Sequence, residues 1–225
     1  MSGASAQAAD ALAAPPAGNW SGIYAGLNFG YGWDSTRDTF PNTNFYTTAP
    51  GQSFASSPSG VLAGAHIDWN AQLGSWVLGL EGTLDASGGS QTQVGVLVPG
   101  IYLYDRFTTG ITDLETINAR LGYASGPWLG YIKGGFATGG VDFSAISGVP
   151  IPGVTASGNG RANGWDAGIG FEKMVTPNIA LGLEYDYASL NGSFTIPISN
   201  GYPSTTINET VAVSSLLARV SMKFY

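Results

Sequence analysis

The chain has 225 residues, a net charge of −7 and no cysteine. Charged residues make up only 10%, against about 25% in an ordinary soluble domain. A disulfide frame and a thiolate metal site are excluded, and a nucleic-acid partner, which favours a basic face, is not expected.

No run of about 18 apolar residues occurs, so no transmembrane helix is expected. Membrane barrels cross with strands of about 9–11 alternating residues, so a membrane location stays open. The 34 glycines and 11 tyrosines, with many Ser, Thr and Asn, suit strands and turns rather than helices.

Residues 1–18 are Ala-rich and Pro-containing. Ala6-Gln7-Ala8 has the form of a signal-peptide cleavage end, so this segment reads as a signal remnant and flexible lead-in. Residues 19–225 read as one domain of eight strands.

The first strand, Trp20 to Asp34, places Ile23, Ala25, Leu27, Phe29, Tyr31 and Trp33 on one face. The second, Gly60 to Asn70, sets Val61, Ala63, Ala65, Ile67 and Trp69 against His66 and Asp68. The third, Trp76 to Ala86, sets Leu78, Leu80 and Leu84 against Glu81 and Asp85. The fourth, Leu114 to Ala124, opposes Ile117, Ala119, Leu121 and Tyr123 to Asn118 and Arg120. The fifth, Trp128 to Asp142, opposes Ile132 and Phe136 to Tyr131 and Lys133. The sixth and seventh flank the turn Thr176-Pro177-Asn178. They set Trp165, Ile169, Phe171, Leu181, Leu183, Tyr185 and Tyr187 against Asp166, Glu172, Glu184 and Asp186. The eighth, Thr210 to Tyr225, sets Leu216, Ala218, Val220, Met222 and Phe224 against Arg219 and Lys223.

Long connections are expected at 35–59, 87–113, 143–162 and 190–209, and short turns between the other strands. The segment 87–113 contains a candidate small hairpin, Val94–Val98 with Ile101–Phe107. Alternating long and short connections are the pattern of an antiparallel up-and-down membrane barrel.

The faces decide what surrounds this barrel. The polar file holds His66, Asp68, Glu81, Arg120, Lys133, Asp166, Glu172, Glu184, Arg219 and Lys223. An eight-stranded barrel has an interior just wide enough for side chains. Eight files rich in Trp, Tyr, Phe and Leu would overfill it. The glycines share the polar file, where long charged side chains need room. The apolar file is therefore expected to face lipid and the polar file the lumen. Trp20, Trp33, Trp69, Trp76, Trp128 and Trp165 lie at strand ends, as in interfacial girdles.

The stretches NWSGIYAGLNFGYGW, WVLGLEG, ARLGYASG, YIKGGFA, GWDAGIGFEKMVTPNIALGLEYDY and LLARVSMKFY resemble the small eight-stranded outer-membrane barrels of alphaproteobacteria. That porin-like family is related to the barrel of outer-membrane protein A. The resemblance spans the strands from about Trp20 to Tyr225 and not the long connections. It implies an all-β, eight-stranded, antiparallel transmembrane barrel in the outer membrane, with long loops outside the cell. It also implies a C-terminal aromatic signal for the barrel-insertion machinery, at Phe224 or, shifted by one residue, at Tyr225.

The interior charges read either as a paired polar core that plugs the lumen or as a narrow ion path. No nucleophile or cleft accompanies the carboxylates as an acid–base pair. His66, the single histidine, lies in the inward file, so neither a catalytic role nor a cofactor or metal site is expected. Some members of the resembled family bind haemin at their surface, but no residue here carries that role. The apolar loop stretches SAISGVPIPGVTA and SFTIPISNGYPSTT are expected to pack on each other, on a protein partner or on a second copy. The resulting expectation is a non-enzymatic envelope barrel contacting outer-membrane lipid. A narrow pore or small-ligand receptor is the alternative, and a lipid A-modifying enzyme the third reading.

Overall fold

The computed structural model describes residues 18–42, 50–95, 105–148 and 152–224. Its strands are β1 (Gly22–Phe40), β2 (Gln52–Ser56), β3 (Ser59–Leu73), β4 (Trp76–Ser87) and β5 (Ser90–Gly95). They continue as β6 (Asp105–Ser125), β7 (Trp128–Ile146), β8 (Thr155–Thr176), β9 (Ile179–Ile196) and β10 (Thr205–Phe224). Eight of them, β1, β3, β4, β6, β7, β8, β9 and β10, pair antiparallel in that order, and β10 returns to β1. The closing seam runs from Ile23↔Phe224 to Thr39↔Asn208. Closure removes every edge in the ring, as a bilayer demands of a sheet. The short β2 and β5 lie outside it, against the ends of β1 and β6.

The expected faces hold through the central part of each long strand. Leu27 and Ile117 each leave 69% of their surface open, and Leu183 leaves 60%. Aromatic pairs bound this apolar band. Trp76 with Tyr123 and Trp128 with Phe171 mark the short-turn end. Trp33 with Tyr185 and Trp165 with Tyr187 mark the other. Trp20 is not in a girdle: it is fully buried inside the short-turn end, stacked on Tyr24.

The expected long loops are the main correction. Strand runs into all four: β1 to Phe40, β6 from Asp105, β7 to Ile146 with β8 from Thr155, and β9 to Ile196 with β10 from Thr205. The hairpin expected in 87–113 takes other bounds, with Ser90–Gly95 paired to Asp105–Gly110. Residues 43–49, 96–104 and 149–151 of those segments lie outside the described residues, as do 1–17 of the lead-in and Tyr225.

Beyond the Trp33–Trp165 girdle the two faces exchange character. On β9 the outward residues become Ser189, Asn191, Ser193 and Thr195, and the inward ones Ala188, Leu190 and Ile196. On β10, Val213, Val211 and Ile207 turn inward while Ser214, Thr210, Asn208 and Thr206 turn out. On β6 a bulge between Ile111 and Asp113 shifts the inward phase from Leu114 to Ile111 and Phe107. The inward residues form two stacked apolar clusters. One contains Leu114, Val141, Leu190, Val211 and Val213, and the outer one Phe40, Phe107, Phe143, Ile196 and Ile207.

The physical reason is a change of solvent along a continuous strand. Against hydrocarbon the outward file must be apolar, and against water it is polar while the core becomes apolar. The Ile and Val of the expected apolar loops, such as Val154, Ile196 and Ile198, are buried in this extramembrane core. Ile146 and Tyr202 of the same segments stay exposed.

The exchange is testable on one strand. Leu183→Arg, in the apolar band, should cost about 2–4 kcal/mol of folding stability in lipid vesicles. Thr195→Arg, outward on the same strand beyond the girdle, should stay within about 0.5 kcal/mol of wild type. Denaturant unfolding would measure both, and equal costs would mean that the outward face meets one solvent throughout.

Candidate functional site: the charged layer of the lumen

The lumen inside the apolar band is filled by a layer of ion pairs. Arg219, on the last strand, is 1% exposed. Its Nη1 donates to Glu81 Oε2 at 2.6 Å, to Glu184 Oε2 and to the Tyr131 hydroxyl at 3.3 Å. Its Nη2 lies 3.4 Å from Asp68 Oδ1. Lys133 Nζ reaches Glu81 at 2.7 Å, Glu184 at 2.9 Å and Asp186 at 3.0 Å. Arg120 Nη2 donates to Glu172 Oε1 at 2.8 Å, and Nη1 lies 3.3 Å from Asp68. The Arg120 guanidinium also sits 3.8 Å from the centre of the Tyr131 ring. Three bases thus meet five carboxylates drawn from β3, β4, β8 and β9. Buried charges of this kind are tolerable only when paired and hydrogen-bonded.

Several contacts share one construction. A glycine on the middle of three strands lets the side chains on either side meet over it. Tyr131 and Glu184 flank Gly170 in register, and the Tyr131 hydroxyl donates to Glu184 at 2.5 Å. Lys133 and Asp186 flank Gly168. Asn118 and Asp166 flank Gly135 and bond at 2.9 Å. Asn28 and Asp85 flank Gly64 and bond at 3.2 Å. His66 and Ser221 flank Gly26 and bond at 2.9 Å. A methyl at Gly170 would stand 2.1 Å from the Tyr131 ring, and one at Gly168 would stand 2.1 Å from Asp186 Oδ1.

Most of the sequence-selected residues line this layer, with differences in role. Asp166 is buried but bonds Asn118 rather than a base. Lys223 is not in the layer. It sits at the short-turn mouth, donating to the Asn19 carbonyl at 2.5 Å. Phe224 ends β10 facing outward. Tyr131 and Asp186 were visible in the inward file, but their place in the layer required the strand registers.

His66 is hydrogen-bonded on both ring nitrogens, at Nε2 to Ser221 Oγ and at Nδ1 to Asn28 Oδ1, 2.6 Å away. Serine, histidine and amide thus stand in the order of an acyl-transfer triad. All three are under 5% exposed.

Beyond the Trp33–Trp165 level three further carboxylates, absent from the expected interior set, are buried: Asp34, Asp38 and Glu209. Burial pushes the Glu209 carboxyl up to about 8, with the Asp38 charge adding to the shift. Burial raises Asp38 to about 6, opposed by a hydrogen bond from Thr109.

Comparison with known proteins places this architecture. A family model described as "Outer membrane protein beta-barrel domain" matches residues 1–224. The chain is 26% identical over 209 residues to the 25 kDa outer-membrane immunogenic protein of Brucella canis, covering 93% of this chain and 81% of that protein. It is 26% identical over 220 residues to the 31 kDa outer-membrane immunogenic protein of Brucella melitensis biotype 1, covering 92% and 90%. Among solved structures, the outer membrane protein OprG of Pseudomonas aeruginosa matches with a TM-score of 0.53 over 93% of this chain and 99% of that chain. At 10% identity that likeness concerns the fold alone.

The glycine construction carries its own test. Gly170→Ala should cost about 1–3 kcal/mol, because the added methyl displaces Tyr131 from Glu184. Gly134→Ala, on the outward face with 3.4 Å to its nearest neighbour, should be neutral within about 0.5 kcal/mol. Equal effects in an unfolding titration would show that strand glycines act here only through backbone entropy.

Proposed function

Because the chain belongs to the outer membrane protein β-barrel family, we propose that it is a closed-lumen barrel with a structural and surface-contact role in the envelope. It is an integral protein of the outer membrane. The observation that carries the closed lumen is Arg219. The residue is 1% exposed, and its guanidinium holds Glu81, Glu184 and Asp68 from three other strands. Below it Trp20, Tyr24, Val77 and Leu129 fill the short-turn end, and above it lie the two apolar clusters. Side chains packed in this way leave an ion neither a continuous water path nor a line of exchangeable ligands.

Contact is then made by the outside of the barrel. The apolar band meets lipid. The polar outer wall beyond the girdle, with Arg37, Asn159, Arg161 and Thr195 exposed, meets the cell's surroundings and neighbouring envelope proteins. The Brucella relatives are named immunogenic, which accords with such an exposed wall. Folding through the barrel-insertion machinery, with Phe224 in the terminal signal, belongs to the same proposal.

Purified barrel in a planar bilayer should give no steady, reproducible conductance steps. A stable unitary conductance would overturn the closed lumen and favour the narrow-pore reading.

A second reading rests on the Ser221–His66–Asn28 geometry and would make the protein an acyl hydrolase or transferase. The burial of all three groups weighs against it, because a substrate carbonyl would have to enter the packed layer. A fluorophosphonate probe should leave folded wild type unlabelled. Labelling that disappears in Ser221→Ala would establish the enzymatic reading instead.

A further inference from the structure

One buried pair in the extramembrane half has no counter-charge. Asp38 on β1 stands directly opposite Glu209 on β10, across the seam that closes the ring. The two residues are 3% and 2% exposed. Like charges directly opposite on paired strands destabilise the pairing. The surroundings sharpen the cost, because Phe40 and Ile207 lie on one side of the pair and Val211 on the other.

No base of the protein balances this pair. The chain contains eight Lys and Arg and one His. Arg120, Lys133, Arg219 and His66 belong to the charged layer. Lys173 lies over the Trp128 ring and Lys223 at the short-turn mouth. Arg37, Arg106 and Arg161 are exposed on the outer wall.

Three of the four carboxylate oxygens of the pair are also unused. Both Oε atoms of Glu209 and Oδ1 of Asp38 lack a hydrogen-bond partner. Oδ2 of Asp38 accepts from the Thr109 hydroxyl at 3.0 Å. An independent sign is the hydroxyl of Thr36, a neutral residue on the same inward file. It is fully buried and has no hydrogen-bond partner. A buried hydroxyl loses its hydration without return unless something takes its lone pairs.

We propose that Asp38 and Glu209, with the hydroxyls of Thr36 and Thr109, bind a hard divalent cation, calcium or magnesium, that fastens β1 to β10 outside the membrane. The donors are all oxygen, which suits these ions and not copper or zinc. Among the described residues no three His, Cys, Asp or Glu side chains converge as ligands. The protein therefore supplies two carboxylates, and water completes the shell, an arrangement these ions accept. The cation replaces a repulsion at the seam by a bridge across it. The inference is independent of whether the lumen conducts.

The test uses the whole folded protein in detergent, stripped with EDTA and then given millimolar calcium or magnesium chloride. Wild type should gain thermal stability with the cation, and isothermal titration should show one site per barrel. Glu209→Gln and Asp38→Asn should lose both responses. In EDTA each should be at least as stable as wild type, because the repulsion is gone. Thr36→Val, which keeps both carboxylates, should fold and bind more weakly. The proposal falls if neither cation moves the wild-type midpoint, or if Glu209→Gln responds as wild type does. It also falls if acid alone stabilises the EDTA-treated wild type while the cations do nothing, since the pair then holds a proton.

Discussion

The lumen is held together by paired charges, several of which meet over the tops of glycines. A charged side chain inside an eight-stranded ring has little room and no bulk water, so it must find its partner within reach. Adjacent strands do not always supply one. For several pairs the strand beyond does, over a residue that has no side chain, while Arg219 reaches Glu81 across the lumen. Gly170, Gly168, Gly135, Gly64 and Gly26 occupy such middle positions. The glycine richness of the chain and the density of its buried polar contacts are thus one property. The layer they make possible gives the ring a filled centre, and the rest of the barrel is arranged above and below it.

A second constraint acts along the strand rather than across it. The alternation of side chains has period two from end to end, yet the medium outside changes from hydrocarbon to water. The same geometry then requires opposite chemistry on each side of the Trp33–Trp165 level. The protein meets this by carrying a membrane-type barrel and a water-soluble type of barrel in tandem on the same strands. β6 adjusts its phase by a bulge, whereas β9 and β10 change residue type without any shift of register.

How much of this was legible follows from what alternation can and cannot report. The eight strands, their lipid-facing files and the inward position of Glu81, Arg120, Lys133, Glu184 and Arg219 follow from period-two reading alone. Pairing does not, because Lys133 meets Asp186 only through two registers, Lys133↔Gly168 and Gly168↔Asp186. The upper half reads as loop for a physical reason. Ser, Asn and Thr outside, with small residues such as Ala156 and Ala162 inside, carry little of the amphipathic contrast that marks a membrane strand. Val154–Ile198 packing and the phase shift at Ile111 hid the rest. Trp20 departs from the girdle expectation because a tryptophan at a strand end marks a girdle only if it points outward. Glu209 fell inside a segment read as loop, so its burial had no signal at all.

The position of Arg219 has a consequence for how the protein comes to exist. It belongs to the last strand, and its partners Glu81 and Asp68 lie 138 and 151 residues earlier in the chain. Until β10 arrives, those carboxylates line an open sheet with only Arg120 and Lys133 to pair with and the third base missing. Such a surface enters hydrocarbon poorly one hairpin at a time, because five carboxylates then share only Lys133 and Arg120 and the excess charge stays hydrated. Completion of the charged layer and closure of the ring therefore coincide, in contacts of long sequence separation. An open sheet carrying that excess of carboxylate keeps water in its hollow until β10 docks. Water then leaves the lumen as the last arginine takes its place.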